Sequence, residues 1–282
     1  MQLRTFIRSW KKTDLDETFA VAPRRCDPCD PVTFYNKKVS PGRHLHSRQI
    51  GLALSGGSVR GIAHIGVIKA LSESGIRPAI VVGTSAGSLI GAGIAAGMNW
   101  RELKKMAESV FWPSLLSGAK LEQFCSRHLP SSFAELSLPF AAIATTLPGK
   151  RTVILTTGKL APAISASCSV RLVRRPVRLN GERLKDGGIS CVLPACECRE
   201  LGADFIIGSD VWEYGAFFRN LGVSHGHPRA RRVYPTHYLQ ATHSSDLLIQ
   251  PDIPVKVYVP GVVSVEQLIA AGEAATRRAL DS

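Results

Sequence analysis

The chain of 282 residues is long enough to bury a sizeable core. Its composition, with 45% hydrophobic and 20% charged residues, excludes a largely disordered protein. A net charge of +13 favours an acidic partner such as an anionic membrane surface, whereas the dispersed basic residues, without a recognised motif, argue against nucleic acid. No apolar run reaches the ~18 residues that span a bilayer, and seven cysteines indicate free thiols, so we expect a cytoplasmic protein.

Residues 1–48 form a basic N-terminal extension in this interpretation, and residues 49–282 form one catalytic domain. The extension is rich in proline and has little sustained periodicity. Its first part, Met1–Lys12, spaces apolar and basic residues as in a short amphipathic helix, which predicts peripheral contact with an anionic membrane. An ordinary N-terminal helix or a frayed tail is the alternative.

From residue 49 the pattern alternates between strands and helices. Strands are predicted at 50–54 and 79–82, and each is followed by a glycine-containing turn and a helix, at 62–74 and 88–97. This alternation predicts a mostly parallel central sheet covered on both faces, which is a three-layer α/β/α fold.

The remaining elements follow in chain order. A helical region at 101–128 is expected to break at Trp112–Pro113, and the tryptophans are expected in the core or at an interface. Further strands and helices are predicted at 140–145, 152–156, 160–168, 182–185, 205–211, 247–249, 256–259 and 265–280. Residues 213–245 are predicted to be an irregular loop of functional or mobile character.

The most informative motif is Gly83-Thr84-Ser85-Ala86-Gly87, which lies between an apolar run and a small-residue helix. A strand, a sharp turn with serine at its apex and a helix together make a nucleophile elbow. Gly83 and Gly87 are needed because side chains there would collide with neighbouring elements. Ser85 is therefore the candidate nucleophile of an acyl hydrolase or acyl transferase.

A second motif, Gly56–Gly61, follows the first predicted strand. Glycines let consecutive backbone N–H groups point at one place, and neighbouring parallel strands end at the same edge of a sheet. The loop is therefore predicted to face the elbow as an oxyanion hole. It departs from dinucleotide-binding loops because Ser58 occupies the second glycine position, and it lacks the Lys-Ser/Thr of a P-loop.

The third motif, Asp186-Gly187-Gly188, ends a short predicted strand. An aspartate there can act as the general base for Ser85 if burial raises its pKa from the ordinary value of ~3.9. The enzymatic alternative is a triad completed by a histidine of the irregular region, His225, His227, His237 or His243. The position of the elbow after a single strand argues against that triad.

These three motifs, in this order, resemble those of the patatin-like phospholipases, and the similarity extends over residues 50–280. The resemblance implies a Ser85–Asp186 dyad without a catalytic histidine, with the amides of Gly56, Gly57 and Ser58 as oxyanion donors. It implies a patatin-like fold, no metal or organic cofactor, and a phospholipid or lysophospholipid substrate. The remaining motif positions are Arg60, Gly61, Gly83, Gly87, Gly187 and Gly188.

Two departures from the family pattern motivate alternatives. Ser58 replaces the usual third glycine, and Arg171, Arg174 and Arg175 replace an apolar stretch, which predicts a basic rim that contacts a lipid headgroup. The chain could therefore be a catalytically weak or inactive protein that binds lipid or a partner. Independently of these departures, an acyltransferase, in which an alcohol replaces water, is a third possibility. Arg60 is expected to support its loop.

Two further groups of residues are expected to be structural. His64 lies on an apolar helix face and is expected in the core. Four cysteines, Cys26, Cys29, Cys196 and Cys198, could supply thiolates to zinc, but the single residue between the last two argues against a metal site.

Overall fold

The computed structural model describes residues 49–170, 173–254, 257 and 263–282. The predicted membrane helix at Met1–Lys12, the cysteines Cys26 and Cys29, Arg171 and all but residue 257 of the strand predicted at 256–259 lie outside these ranges. The boundary between extension and catalytic domain therefore stays a prediction. None of the helices in the described ranges is long and apolar enough to cross a bilayer.

The described ranges contain eight strands, ten α-helices and short 3-10 segments. The strands are β1 Ile50–Leu54, β2 Ile80–Thr84, β3 Phe140–Leu147, β4 Thr152–Leu155, β5 Val177–Leu179, β6 Glu182–Asp186, β7 Phe205–Ser209 and β8 Leu247–Ile249. The helices are α1 Ala63–Glu73, α2 Ala86–Ala95, α3 Trp100–Glu108, α4 Gly118–His128, α5 Leu160–Ser167, α6 Ala195–Glu200, α7 Glu213–Asn220, α8 Ala230–Val233, α9 Thr236–Ser244 and α10 Val265–Asp281. The 3-10 segments are Ser58–Ile62, Trp112–Leu116, Phe133–Glu135 and Gly187–Ile189.

The strands form a single sheet in the order β5-β6-β3-β2-β1-β7-β8, with β4 paired to β3. The pairs from β3 through β2, β1 and β7 to β8 are all parallel, as the alternating pattern predicted. Strands β4 and β6 are antiparallel to β3, and β5 is antiparallel to β6. The sheet is therefore mostly parallel, with an antiparallel extension at one side.

Strand β3 brings the ends of two other strands together. Because β4 pairs with residues 142–145 of β3, β2 and β6 must share the opposite edge of that strand. On that edge Thr84 of β2 pairs with Ile143, and Asp186 of β6 pairs with the next residue, Ala144. The two strands run toward each other, so the residue after Thr84 meets Asp186.

Alternate side chains of the sheet enter two separate cores. Leu52 and Phe140 pack in the larger core with α1–α5 and α10, whereas Ala53 and Ile143 pack in a second core with α6 and α9. Helices therefore cover both faces, and the predicted three-layer α/β/α fold is confirmed.

The prediction of an irregular loop at 213–245 is wrong, because α7, α8 and α9 lie within it. These helices are fixed by buried polar contacts that periodicity does not reveal. The Tyr238 hydroxyl donates to Asp210 Oδ2 at 2.7 Å, and the Tyr234 hydroxyl donates to the Val223 carbonyl at 2.7 Å.

The sequence did not predict strand β5 or helix α6, because each is short. The break at Trp112–Pro113 is confirmed as a 3-10 segment, and the capping box that begins α10 at Ser264 is present.

Helices α1 and α10 pack with their backbones in contact. A Cβ atom at Gly66 would overlap the Ile269 carbonyl, and one at Gly272 would overlap the Ala63 carbonyl. An ion pair between Lys69 and Glu273, 2.5 Å apart, lies beside this contact. Glycine is required at both crossing positions because any side chain would force the helices apart.

We expect Gly66→Ala to lower the free energy of unfolding by about 1–3 kcal/mol or more, the usual cost of overpacking a close-packed interior. Urea unfolding followed by circular dichroism measures the change. Gly226→Ala is the matched control, since a Cβ there would meet nothing within 4 Å. Equal stability of the two variants would contradict the close contact.

Candidate active site

Ser85 occupies a strained turn between β2 and α2. Its φ of 53° and ψ of −122° lie outside the regions that non-glycine residues favour. A Cβ atom at Gly83 would overlap the Gly87 carbonyl, and one at Gly87 would overlap the Leu54 carbonyl. The two glycines therefore permit the sharp turn that presents Ser85 at the carboxyl edge of the sheet.

Hydrogen bonds from outside the turn hold Ser85 in this conformation. Its amide donates to Ser167 Oγ of α5 at 2.9 Å, so a side chain satisfies a backbone group that the turn leaves unpaired. Its carbonyl accepts from the Ser88 amide at 2.8 Å and the Leu89 amide at 3.3 Å. Sequence reasoning missed Ser167, because its partner is 82 residues away.

Ser85 and Asp186 are in direct contact. Ser85 Oγ donates to Asp186 Oδ2 at 2.8 Å, and the Gly188 amide donates to Asp186 Oδ1 at 2.9 Å. A Cβ atom at Gly187 would overlap the Ile143 carbonyl, so glycine lets the aspartate loop lie against β3. The structure thus brings the first and third sequence motifs together, with both carboxylate oxygens of Asp186 oriented by donors.

Burial makes Asp186 a stronger base than an ordinary aspartate. It raises the pKa of Asp186 to about 6, against the hydrogen bonds from Ser85 and Gly188 and the positive charges of Arg174 and Lys185, which lower it. The carboxyl group is therefore mostly ionised at neutral pH and has a higher proton affinity than when exposed. These are the properties required to accept the Ser85 proton.

The glycine-rich loop lies beside Ser85, but it offers fewer oxyanion donors than predicted. The Gly56 amide donates to the Val192 carbonyl at 2.9 Å, so the prediction that it serves as an oxyanion donor is wrong. A Cβ atom at Gly56 would lie 3.4 Å from Ser85 Cβ, so the loop backbone lies close to Ser85 at this glycine. The amides of Gly57 and Ser58 form no hydrogen bond with another described residue, and both residues line the same cavity as Ser85.

Ser58 adopts the left-handed conformation that favours glycine, with a φ of 53°. Serine tolerates this region at a cost of about 1–2 kcal/mol. The loop therefore keeps a glycine-like conformation although serine replaces glycine at position 58, and the Ser58 backbone amide is retained.

The loop is anchored to the segment that follows β7. Arg60 is buried, and its Nε–H donates to the Val211 carbonyl at 2.9 Å. The Val211 amide donates to Ser55 Oγ at 2.8 Å. A Cβ atom at Gly61 would lie 2.6 Å from Ala86 Cβ, so the loop also packs closely on α2. These contacts support the loop-stabilising role expected of Arg60.

The histidines of the described ranges take no part in the Ser85–Asp186 contact. His64 is buried, with Nδ1 2.7 Å from Ser209 Oγ and Nε2 3.0 Å from the Ser55 carbonyl, and burial lowers its pKa to about 4. It is a neutral core residue, as expected. No histidine in these ranges forms a hydrogen bond with Ser85 or Asp186, so the geometry does not support the alternative triad.

A largely apolar cavity of about 440 Å³ opens over Ser85. Its wall is formed mainly by aliphatic and aromatic side chains, among them Leu89, Leu115, Leu121, Trp112 and Trp212. Asp186 and Glu213 are the only charged residues of the described ranges that line it. Such a wall suits an acyl chain, and none of the described residues that line it offers a cation to a headgroup phosphate.

The predicted basic rim is wrong for Arg174 and is not supported for Arg175, since neither residue lines the cavity. The Arg174 guanidinium donates to the Ser165 and Cys168 carbonyls, each at 3.1 Å, and to Ser165 Oγ at 2.7 Å. It satisfies carbonyls that the end of α5 leaves unpaired.

Within the described ranges Cys125, Cys168 and Cys198 form no disulfide, and Cys198 is buried in the core. No group of three or more metal-binding side chains is positioned to hold an ion within these ranges.

The fold and the site define an α/β protein with a serine–aspartate pair at a nucleophile elbow. The model of the patatin-like phospholipase family matches residues 52–196. An uncharacterized NTE family protein of Mycobacterium bovis is 32% identical over 178 residues, which is 58% of this chain and 49% of that protein. Lysophospholipase NTE1 of Yarrowia lipolytica is 34% identical over 186 residues, 60% of this chain and 13% of that protein.

The crystal structure of VipD from Legionella pneumophila is similar, with a TM-score of 0.56 and 15% identity over 83% of this chain and 67% of that chain. This similarity concerns the fold alone. The matched region spans about half of the mycobacterial relative and a smaller part of the fungal one. The family model covers more than half of the chain, and the chain belongs to the patatin-like phospholipase family.

We expect Ser167→Ala to destabilise the protein by about 1–3 kcal/mol, because the buried Ser85 amide loses its acceptor. Urea unfolding gives this free energy. Ser88→Ala is the matched control: it also removes a buried hydroxyl, but the Ser85 carbonyl to which Ser88 Oγ donates keeps its two amide donors. A Ser88→Ala loss as large as that of Ser167→Ala would contradict this role of Ser167.

Proposed function

We propose that the protein is a serine-dependent lipid acyl hydrolase, a phospholipase A or lysophospholipase-like esterase with Ser85 as nucleophile and Asp186 as general base. The observation that carries this proposal is the 2.8 Å hydrogen bond from Ser85 Oγ to a buried carboxylate that lines an apolar cavity. Membership of the patatin-like phospholipase family supports a lipid ester as substrate. A relative named lysophospholipase supports the same substrate class.

In the first step Asp186 accepts the Ser85 proton while Oγ attacks the ester carbonyl carbon. The carbonyl oxygen becomes an oxyanion, which the amides of Gly57 and Ser58 stabilise in this mechanism. One such donor is worth about 2.7–4 kcal/mol in the transition state. The N-terminus of α2, which begins at the next residue, adds positive potential at the same place.

The tetrahedral intermediate then collapses as the bond to the alcohol breaks. Asp186, now protonated, donates its proton to the departing alkoxide, and the acyl group remains on Ser85 as an ester. In the second half Asp186 accepts a proton from water, and the resulting hydroxide attacks the acyl-enzyme. Release of the fatty acid returns the proton to Ser85 Oγ, so the dyad is regenerated.

The cavity determines which part of the substrate is enclosed. Its aliphatic and aromatic wall binds the acyl chain, while the alcohol portion with its headgroup extends toward the mouth. Besides Asp186, Glu213 is the charged residue of the described ranges that lines the cavity, and it lies at the start of α7. A phospholipid or lysophospholipid is the substrate class that the family and this arrangement support together.

We expect Ser85→Ala and Asp186→Asn each to lower hydrolysis of p-nitrophenyl butyrate and of a lysophospholipid by at least ~100-fold, because each removes half of the proton-transfer pair. Free fatty acid and p-nitrophenol are the measured products. Asp252→Asn, at an exposed carboxylate, is the matched control and is expected to keep full activity.

Turnover that survives Ser85→Ala in the folded protein would contradict the mechanism. A wild-type protein that binds lipid without turnover would favour the non-catalytic alternative. Ester consumption that yields an acylated alcohol in the presence of glycerol, without free fatty acid, would identify an acyltransferase instead.

A further inference from the structure

Large apolar side chains are exposed in two segments of the chain that each contribute to the cavity wall. We name Phe111, Leu116, Tyr214, Phe217 and Leu221 the collar. Each is between 44% and 66% exposed, and they are five of the six large hydrophobic residues that are exposed in the described ranges. Leu116 and Tyr214 also line the cavity, so the collar is continuous with the proposed acyl site.

One side of the collar is a stripe along α7. Tyr214, Phe217 and Leu221 are spaced by three and four residues, which places them on one face of the helix and its end. Phe218 instead packs inward, with its ring 5.4 Å from that of Tyr234. Helix α7 therefore has apolar side chains both toward the protein and toward solvent, and no described residue buries the outer stripe.

The other side of the collar comes from the 3-10 segment Trp112–Leu116 and the residue before it. Trp112 and Leu115 line the cavity, whereas Phe111 and Leu116 are exposed. A short polypeptide segment thus contributes to the acyl site and to the exposed surface at once. Large exposed apolar patches of this kind mark contacts with other molecules.

Charge indicates which kind of molecule the collar contacts. Residues 213–235 contain four arginines and one acidic residue. Arg219 is used within the protein, since its Nη1 atom is 3.2 Å from the buried Asp210 Oδ2. Arg229, Arg231 and Arg232 are exposed and form no ion pair with a described acidic residue. An exposed apolar stripe and exposed cations within one short segment of the chain fit a surface with anionic headgroups and an apolar interior.

We propose that the collar docks the protein onto an anionic lipid surface, with the cavity mouth against the lipid. An acyl chain then passes from the lipid into the cavity without crossing water, while the arginines contact phosphate groups. This proposal rests on the proposed lipid hydrolase function. The continuity of collar and acyl cavity, together with the unpaired arginines, favours lipid over a protein partner.

The test uses the full chain carrying Ser85→Ala, so that lipid is not consumed, and vesicles of phosphatidylcholine with or without 30% phosphatidylglycerol, roughly the anionic fraction that attracts basic surfaces. Flotation measures the bound fraction. We expect the triple variant Phe111→Ser/Phe217→Ser/Leu221→Ser to bind anionic vesicles roughly tenfold or more weakly, because three apolar side chains no longer enter the lipid. None of the three residues lines the cavity.

A second pair of variants tests the charge. Arg229→Gln/Arg231→Gln is expected to weaken binding to anionic vesicles several-fold. Raised salt is likewise expected to weaken vesicle binding by the protein that keeps both arginines. Lys105→Gln/Arg278→Gln removes two exposed charges elsewhere and is the matched control. An equal loss in both double variants would show that net charge alone is responsible and would contradict a specific role of Arg229 and Arg231.

Activity separates this proposal from the proposed function. With Ser85 intact, the triple variant is expected to hydrolyse soluble p-nitrophenyl butyrate at the wild-type rate and vesicular phospholipid more slowly. A wild-type protein that hydrolyses neither would overturn the proposed function, while the flotation result would still decide the docking surface.

Two results would overturn the docking surface. The first is wild-type vesicle binding by the triple variant, which would place membrane contact elsewhere, Met1–Lys12 included. The second is self-association of the wild type in sedimentation, lost in the triple variant, without vesicle binding. That result would make the collar an interface between copies of the chain.

Discussion

The candidate site depends on two strands that meet end to end along one edge of β3. The pairing of Thr84 with Ile143 and of Asp186 with Ala144 fixes the distance between Ser85 and Asp186 through the hydrogen-bond register of the sheet. Gly187 allows the loop after β6 to lie against β3, because a side chain at this position would overlap the Ile143 carbonyl. The geometry of the proposed catalytic pair is therefore set by the sheet, whereas much of the cavity wall comes from helical segments around it.

Desolvation connects this geometry to reactivity. Burial raises the pKa of Asp186, and the hydrogen bonds from Ser85 and Gly188, together with two nearby cations, limit the rise. Arg174, fixed by carbonyls of α5, and Lys185 therefore influence the site through their charge without lining the cavity. The same exclusion of water strengthens hydrogen bonds to an oxyanion. A basic residue close to a catalytic group in sequence can thus adjust a pKa rather than bind substrate.

Sequence reasoning located the parts of the site that local chemistry determines. Ser85 and Asp186 were predicted from turns whose glycines admit few conformations, and the strand–helix alternation predicted the sheet. Two of the errors have a common cause, since each depends on a partner distant in sequence. Nothing near Gly56 indicates that Val192 accepts its amide proton. The helices of 213–245 are likewise fixed by Asp210 and Tyr238 rather than by periodicity.

The central claim is that Asp186 activates Ser85. The most direct measurement is the rate of covalent labelling by a fluorophosphonate as a function of pH, with the modified residue located by mass spectrometry. We expect modification of Ser85, at a rate that falls as the pH drops through about 6, because protonation of Asp186 removes the base. Labelling of Asp186→Asn is expected to be slow and independent of pH in this range. Modification of a different residue, or an unchanged rate for Asp186→Asn, would contradict the account.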